Sequence, residues 1–424
     1  MAKRNANGEG SIWQRKDGRW VGSAFVLTAD GTYKRRDVYG KSWDDVHDKL
    51  TRLKADSQKG VPVVTSKLSL GEFLTYWLAN VARLKVRPAT YAAYETLVRI
   101  YLTPGLGKKK LARLTARDIR TFLATTARTC RCCAQGKDKA RPERKRRCCA
   151  LGKCCESYPS DRTVRFLLVL LRAALAHAVR EDELPRNVAK NVELGMGTKR
   201  EIEPLTVQEG RQLLATARGN RLWAAYELAV RIGLRRGEVL GLRWKDVDLA
   251  DGTVTIRQTL QRVGGELLIA APKTQRSARR VALPAECVTA LRARRAQQRG
   301  DRLAAGKKWK DNGSDLVFTT KNGTPIEPRN LNRAFTLLCD KAGVRRVRFH
   351  DLRHTCASLL HEQGADARMI MEVLGHSSIR VTMDIYTFVR LDSQRSAFDR
   401  VGDALRDSNE DDGGEGLGGV PAAV

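Results

Sequence analysis

FHDLRHTCASLL, residues 349–360, sets His350, Arg353 and His354 among apolar positions that recur at helical spacing. Leu352, Cys356, Leu359 and Leu360 make the stripe that a buried helix presents. Two histidines and an arginine beside such a stripe cost free energy unless each finds a partner. Residues three apart share a helix face, so His350 and Arg353 point the same way. The segment reads as a core helix with a polar site at its side.

Three other stretches of the same region carry polar groups that a core does not need. RIGLRRGEVLGLRWKDVDL (231–249) has Gly233 and Gly237 flanking Arg235 and Arg236, with Glu238 just after. PKTQRSARRVALP (272–284) puts Lys273 at the start of an expected strand. EVLGHSSIRVTMDIYTFV (372–389) has His376 and, ten residues on, Tyr386. Taken singly, each has an ordinary explanation: a solvated arginine, a capping histidine, a packed tyrosine, a hairpin lysine. Taken together they suit phosphoryl transfer. Two arginines can clamp the nonbridging oxygens of a phosphate. Lysine and histidine can move protons, and a tyrosine hydroxyl of pKa roughly 10 can attack phosphorus where cations surround it. Such cations take the place of a metal ion in stabilising the transition state. The sequence shows no phosphate-binding P-loop and no paired-carboxylate metal motif.

Composition points to a polyanionic partner. Lysine and arginine number 78 against 47 acids, a net charge of +31, and cations that neutralise phosphates release condensed counterions. With 42% hydrophobic residues the 424-residue chain can bury real cores. No apolar run approaches the ~20 residues that span a bilayer. MAKRNANGEG lacks an apolar signal core, so a cytosolic location, without a membrane, is expected.

The chain reads as a multidomain α+β protein. Residues 11–40 alternate like short strands, with hairpin signals at Asp17-Gly18 and Asp30-Gly31. SWDDVHDKLTRLKAD follows as a helix with Ser42 as N-cap and Val46, Leu50 and Leu53 on one face. A small three-stranded β-sheet plus one helix therefore accounts for residues 1–60. Basic residues interleave with aromatics across it, and Arg15, Lys16, Arg19, Lys34, Arg35 and Arg36 are its candidate DNA contacts. KGVPVVTSK is a linker. Residues 67–192 form a domain of about four helices, and ELGMGTKREIE (193–203) is a second linker. Residues 200–400 mix helices with a β-rich stretch at 252–284, a mainly α domain with a small β-sheet. Residues 401–424, acidic and glycine-rich, are a flexible tail.

GLRRGE, PKT…S.R.V.LP, HDLRHT, LGH and the tyrosine ten residues later resemble, in order, the catalytic boxes of the tyrosine recombinases. The chain is most similar to the phage and integrative-element integrases of the lambda type. The resemblance runs from about residue 8 to 400 and is most specific over 231–389. It implies that residues 10–20, GSIWQRKDGRW, belong to an arm-type DNA-binding domain, that 67–192 bind core DNA, and that 200–400 are catalytic. It also implies roles: Arg235 and Arg353 hold the scissile phosphate, and Lys273 protonates the leaving 5′-oxygen. His350 is the general acid/base, His376 bonds a nonbridging oxygen, Tyr386 is the nucleophile and Glu238 supports the site. His354 is expected beside these groups without taking part in the chemistry.

The implied activity is site-specific integration and excision through a 3′-phosphotyrosyl intermediate, with no cofactor for catalysis. The implied partners are double-stranded attachment-site DNA, three further copies of the chain, and an accessory excision factor or host DNA-bending protein. The implied location is the bacterial cytosol or nucleoid. Two other readings share features with this one. A type IB topoisomerase uses the same chemistry but is not expected to carry an arm-binding domain. A non-catalytic regulator descended from a recombinase is expected to lack the tyrosine or an arginine, and neither is missing.

CRCCAQGKDKARPERKRRCCALGKCC (130–155) departs from the family pattern. It holds seven of the ten cysteines, and residues 128–155 carry ten Lys/Arg against two acids. In a reducing compartment such crowding favours metal over disulfides. Nearby cations are expected to ease thiol ionisation. About one structural zinc per chain is expected, on Cys130, Cys132, Cys149 and Cys154, with Cys133, Cys148 and Cys155 as substitutes. The plain alternative is an exposed basic loop.

Overall fold

The computed structural model describes residues 10–27, 32–58, 68–195, 202–271, 278–311 and 313–376, and scattered single positions beyond. It divides into two compact units, Met1–Lys199 and Arg200–Val424. The linker at 59–67, most of the second linker and nearly all of the tail lie outside the described residues, as does Asp30-Gly31.

In the first unit, antiparallel strands Ser11–Gln14, Trp20–Leu27 and Tyr33–Gly40 form a sheet with the second strand central. The first turn closes as Asp17-Gly18 predicts, with Gly18 at φ +80° and its N–H donating to the Arg15 carbonyl. Ser42 accepts from the Asp45 N–H at the start of the helix Trp43–Gln58. That helix packs Leu50 against Ala24 and Val26. Gly22 faces it too, because a Cβ there would lie 2.6 Å from Val46 Cγ1.

The helical part builds a separate core. Capping boxes at Ser69/Glu72 and Thr115/Asp118 start the helices Leu70–Trp77 and Ala116–Arg128. Pro88–Leu97 lies between them. The helix Asp161–Arg180, capped by Ser160, supplies the axis of the core. Its Val164, Leu167, Leu168, Leu171, Leu175 and Ala178 recur at helical spacing and pack with Phe73, Trp77, Leu102 and Ile119. The cysteine-rich insert enters between the last two of these helices.

Among the described residues of the second unit, Cys356, Ala357, Ile370 and Leu374 form a smaller cluster, and six helices and short strands bury one large apolar core. Tyr226, Phe335 and Phe349 meet ring to ring at its centre. Within the β-rich stretch, Val247–Asp248, Thr253–Ile256 and Arg279–Ala282 form one antiparallel sheet. Thr259–Val263 pairs with Glu266–Ala270 as a hairpin turned by Gly264 and Gly265, both at positive φ. The helix read from FHDLRHTCASLL spans Asp351–Glu362. Phe349 and His350 therefore precede it, and His350 is its N-cap rather than an interior residue. Among the described residues no helix is long and apolar enough to cross a membrane.

Leu171 is fully buried on the long helix. Leu171→Ala removes its methyl groups from a packed core and should cost about 2–5 kcal/mol. Urea unfolding followed by far-UV circular dichroism measures it; an unchanged transition would contradict the packing.

Candidate active site

The polar boxes of the second unit converge on the end of one helix. Ala367–Leu374 stops at Gly375, whose φ of +63° turns the chain. Its last carbonyls have no intrahelical donors of their own and carry partial negative charge. Guanidinium groups supply the donors. Arg279 Nε donates to the Val373 carbonyl at 2.6 Å, and Arg235 Nη2 to that of Gly375 at 3.0 Å. Arg353 donates to the Leu374 carbonyl and, at 2.9 Å, to that of Gly233. Gly233 must be glycine: it has φ +63°, and a Cβ would lie 2.3 Å from Leu374 Cδ2.

Glu238 ties two of these arginines together. It sits in the first turn of Arg236–Leu240, with Arg235 at the N-cap. One carboxylate oxygen accepts from Arg235 Nη1 at 2.7 Å, and the other accepts the Arg235 backbone N–H at 3.0 Å. Arg279 Nη2 reaches the second oxygen at 3.1 Å. Glu238 is 1% exposed, so it has little other solvation. Burial alone would raise its pKa, but the Arg279 and Arg235 charges outweigh it and hold the carboxyl below its usual range.

Cations so close in a dry site disfavour further positive charge. Burial, then the Arg235 charge, pushes Arg353 down to about 9, which leaves it charged at neutral pH. His376, 6% exposed, is pushed down to about 3, first by burial and then by Arg353 and Arg235. His350 is lowered by desolvation, then by His354, Arg353 and Arg235. His350 lies at the rim and is solvent-exposed, so water screens part of that shift. Both imidazoles are neutral at pH 7. The His350 and His354 rings meet edge to face at 5.8 Å, which places His354 against the site as expected. Arg348 donates to both oxygens of buried Asp351 and fastens the turn before this helix.

The structure thus brings together Arg235, Glu238, His350, Arg353 and His376. Lys273 and Tyr386 lie outside the described residues. Arg279 carries no role in the sequence reading, although the quoted S.R.V.LP box contains it. Strand alternation was the available signal, since Arg279 shares a strand face with buried Val281 while Arg280 points to solvent. An open cleft beside the site is lined by Arg235, Arg236, Arg262, Arg348 and His350 among others, a cationic wall suited to phosphates.

The candidate contacts of the N-terminal sheet do not share one surface. Pairing places Arg35 opposite Phe25, and Lys34 and Arg36 opposite Val26 and Ala24 on the helix side. Arg15, Lys16 and Arg19 lie in the first turn region. The face away from the helix carries Trp13, Phe25, Tyr33 and Tyr39, each between 39% and 65% exposed.

The seven clustered cysteines also come together, in a grouping that corrects the expected one. Cys130 lies with Cys133, Cys149 and Cys154, so Cys133 takes the place expected for Cys132. A short helix, Arg131–Ala134, explains the exchange, because adjacent Cys132 and Cys133 leave it in different directions. The thiols are not uniformly acidified by the surrounding lysines and arginines. Backbone N–H groups, that of Cys133 first, push Cys130 down to about 6, while desolvation pushes Cys155 up to about 12. The leading causes are backbone donors, burial and neighbouring thiols, since so many thiolates cannot all ionise side by side.

The chain is similar in sequence and in fold to known proteins. Residues 203–391 match the family model described as Phage integrase family, and 69–125 match Phage integrase, N-terminal SAM-like domain. Together the two matches span more than half of the chain. The chain belongs to the phage integrase family. Its class is tyrosine site-specific recombinase. A tyrosine recombinase XerC-like protein of Caldanaerobacter subterraneus is 28% identical over 88% of this chain and 93% of its own. An integrase of Streptomyces ambofaciens is 28% identical over 91% and 94%. The Tn1549 transposon integrase, solved with transposon right-end DNA, is 21% identical over 79% of this chain and all of its own. Its TM-score of 0.59 reports a shared fold.

The neutral histidines set the acid limb of stability. Their native pKa values lie below that of an unfolded histidine, so the unfolded chain binds more protons once pH falls through roughly 6.5. Stability should be fully present above that pH and fall steadily toward pH 4. Thermal melts should drop between pH 7.5 and 5, and His376→Gln should flatten part of the drop. His376 imidazole signals in NMR that titrate near 6.5 would contradict its burial.

Proposed function

We propose that this recombinase cuts and rejoins double-stranded DNA at attachment sites, moving a phage or other mobile element into and out of host DNA. The Tyr386 hydroxyl attacks the scissile phosphorus and displaces the 5′-oxygen, leaving a 3′-phosphotyrosyl bond. Neutral His350 takes the phenol proton, and Lys273 gives one to the leaving oxygen. The 5′-hydroxyl of a partner strand then reverses the step. One phosphodiester is exchanged for another, so the cycle needs no energy source and no catalytic cofactor.

The observation that carries this reading is the set of guanidiniums held on carbonyls beside neutral imidazoles. Arg353 uses two of its five N–H groups on backbone carbonyls and keeps its charge for the phosphate, whereas Arg235 shares its charge with Glu238. His376 bonds a nonbridging oxygen, and Glu238 holds Arg235 in position. Four protomers act on two duplexes, assisted by an excision factor or a host DNA-bending protein. Residues 1–60 read arm-type sites through the exposed aromatics, Arg15, Lys16, Arg19 and the strand cations. Residues 67–192 grip core DNA, and the cysteine-rich insert holds structural zinc.

Tyr386→Phe should bind attachment-site DNA normally and give no covalent adduct with a nicked suicide substrate on a denaturing gel. Arg353→Ala should slow adduct formation by at least about 100-fold, the loss of a positioned transition-state donor. A covalent adduct with the Phe variant would refute the nucleophile.

Deleting residues 1–60 should spare cleavage of core sites and abolish integration that depends on arm DNA. Binding of arm DNA by the full chain should weaken steeply with salt. Equal arm-DNA affinity with and without the segment would refute its role.

A further inference from the structure

The seven cysteines of the insert divide into two groups of four that share one member. Cys130, Cys133, Cys149 and Cys154 form one group; Cys132, Cys148, Cys149 and Cys155 form the other. Within each group every sulfur lies within 4.8 Å of the rest. Four thiolates around one zinc ion, each at about 2.3 Å, set sulfur–sulfur edges of roughly 3.8 Å. Cys133–Cys154 and Cys132–Cys148 are 3.8 Å apart, and Cys149–Cys155 3.9 Å. A further contact of 3.8 Å, Cys130–Cys155, runs between the groups and shows that they abut. All seven are free thiols.

We propose that the insert binds two zinc ions, one in each group, with the Cys149 thiolate bridging them. This rests on the reading that the insert holds structural zinc and adds the number of ions and the bridge. A thiolate has lone pairs for two metals, and each ion then completes its tetrahedron with three cysteines of its own. Binding releases to solvent the protons that the thiols still carry. The two ions bring four positive charges against seven thiolates, a cluster of net charge −3. The ten Lys/Arg of residues 128–155, against two acids, surround it with compensating charge. A single ion would use one group and leave three crowded thiols with no purpose.

The protein scaffold is arranged for such a cluster. Asp138, fully buried, accepts the backbone N–H groups of Arg147, Cys148 and Ala150 and the Arg141 guanidinium. It thereby fixes the turn that presents Cys148 and Cys149. Arg131 donates from its backbone and its side chain to Ser157, tying the turn of Cys132 and Cys133 to the chain just beyond Cys155. Apolar packing cannot hold this segment, because Leu151, its one large aliphatic residue, is 58% exposed. Metal cross-links are what remains to close it.

The test is metal counting by native mass spectrometry on the reduced full chain, followed by replacement of zinc with ¹¹³Cd and NMR. Two ions per chain are expected, with two ¹¹³Cd signals split by mutual coupling through the shared sulfur. Cys149→Ser should lose at least one ion and abolish the coupling, while Leu151→Ser keeps both ions. Should Cys149→Ser fail to fold, the coupling in the unmodified chain still decides. Two uncoupled signals refute the bridge, and one zinc per chain refutes the pair, both leaving structural zinc standing. No zinc, with seven freely titrating thiols, refutes both readings.

Discussion

Guanidinium groups seated on the carbonyl end of Ala367–Leu374 are the interaction on which the catalytic unit depends. Three arginines from three sequence-distant segments meet there with one carboxylate, Glu238, between two of them. Backbone carbonyls are neutral, so they satisfy donors without cancelling charge. Had carboxylates held Arg353, the pair would have little field left for a phosphate. Carbonyl ligation keeps the site positive while meeting the demand that buried N–H groups be bonded.

That choice constrains the backbone around it. Gly233 and Gly375 both sit at positive φ and both offer carbonyls to arginines. A side chain at either would meet Leu374 or Arg279 first. The histidines follow from the same field. An imidazole beside uncancelled guanidiniums stays neutral, and a neutral imidazole can accept a phenol proton where an imidazolium cannot. Arginine charge, glycine turns and histidine basicity are therefore one device. Removing Glu238 would leave Arg279, nearly buried, without its carboxylate counter-charge, a loss of about 3–5 kcal/mol on the scale of broken buried pairs.

Much of this was legible in residue order. The resemblance of the boxes that hold Arg235, Glu238, His350, Arg353 and His376 to those of the tyrosine recombinases implies that they meet at one place, and the helical stripe of 352–360 anchors that place. Arg279 escaped because an arginine beside another arginine on a strand looks solvated. Only the alternation with Val281 separates the inward one from the outward one. His350 was read as interior because helical spacing does not mark the first turn, where an N-cap and an interior residue look alike. The pairing of cysteines was illegible for a related reason. Adjacent Cys-Cys pairs point apart on a turn, so spacing along the chain cannot say which sulfur joins which group.

The insert handles charge in the opposite way to the catalytic site. There, Arg353 is kept unneutralised by seating it on neutral oxygens. In the insert, ten cations share a segment with seven sulfurs that could all carry charge together only if a metal ion joined them. Without metal, desolvation raises Cys132 and Cys155 and the neighbouring Cys149 thiol raises Cys133, which keeps these three protonated. The basic shell would then repel itself with nothing at its centre. The proposed metal–thiolate cluster, of net negative charge, would supply that centre and still leave the segment net positive. Thiolates held as metal ligands would balance the shell from within and leave the remaining lysine and arginine charge for a polyanion.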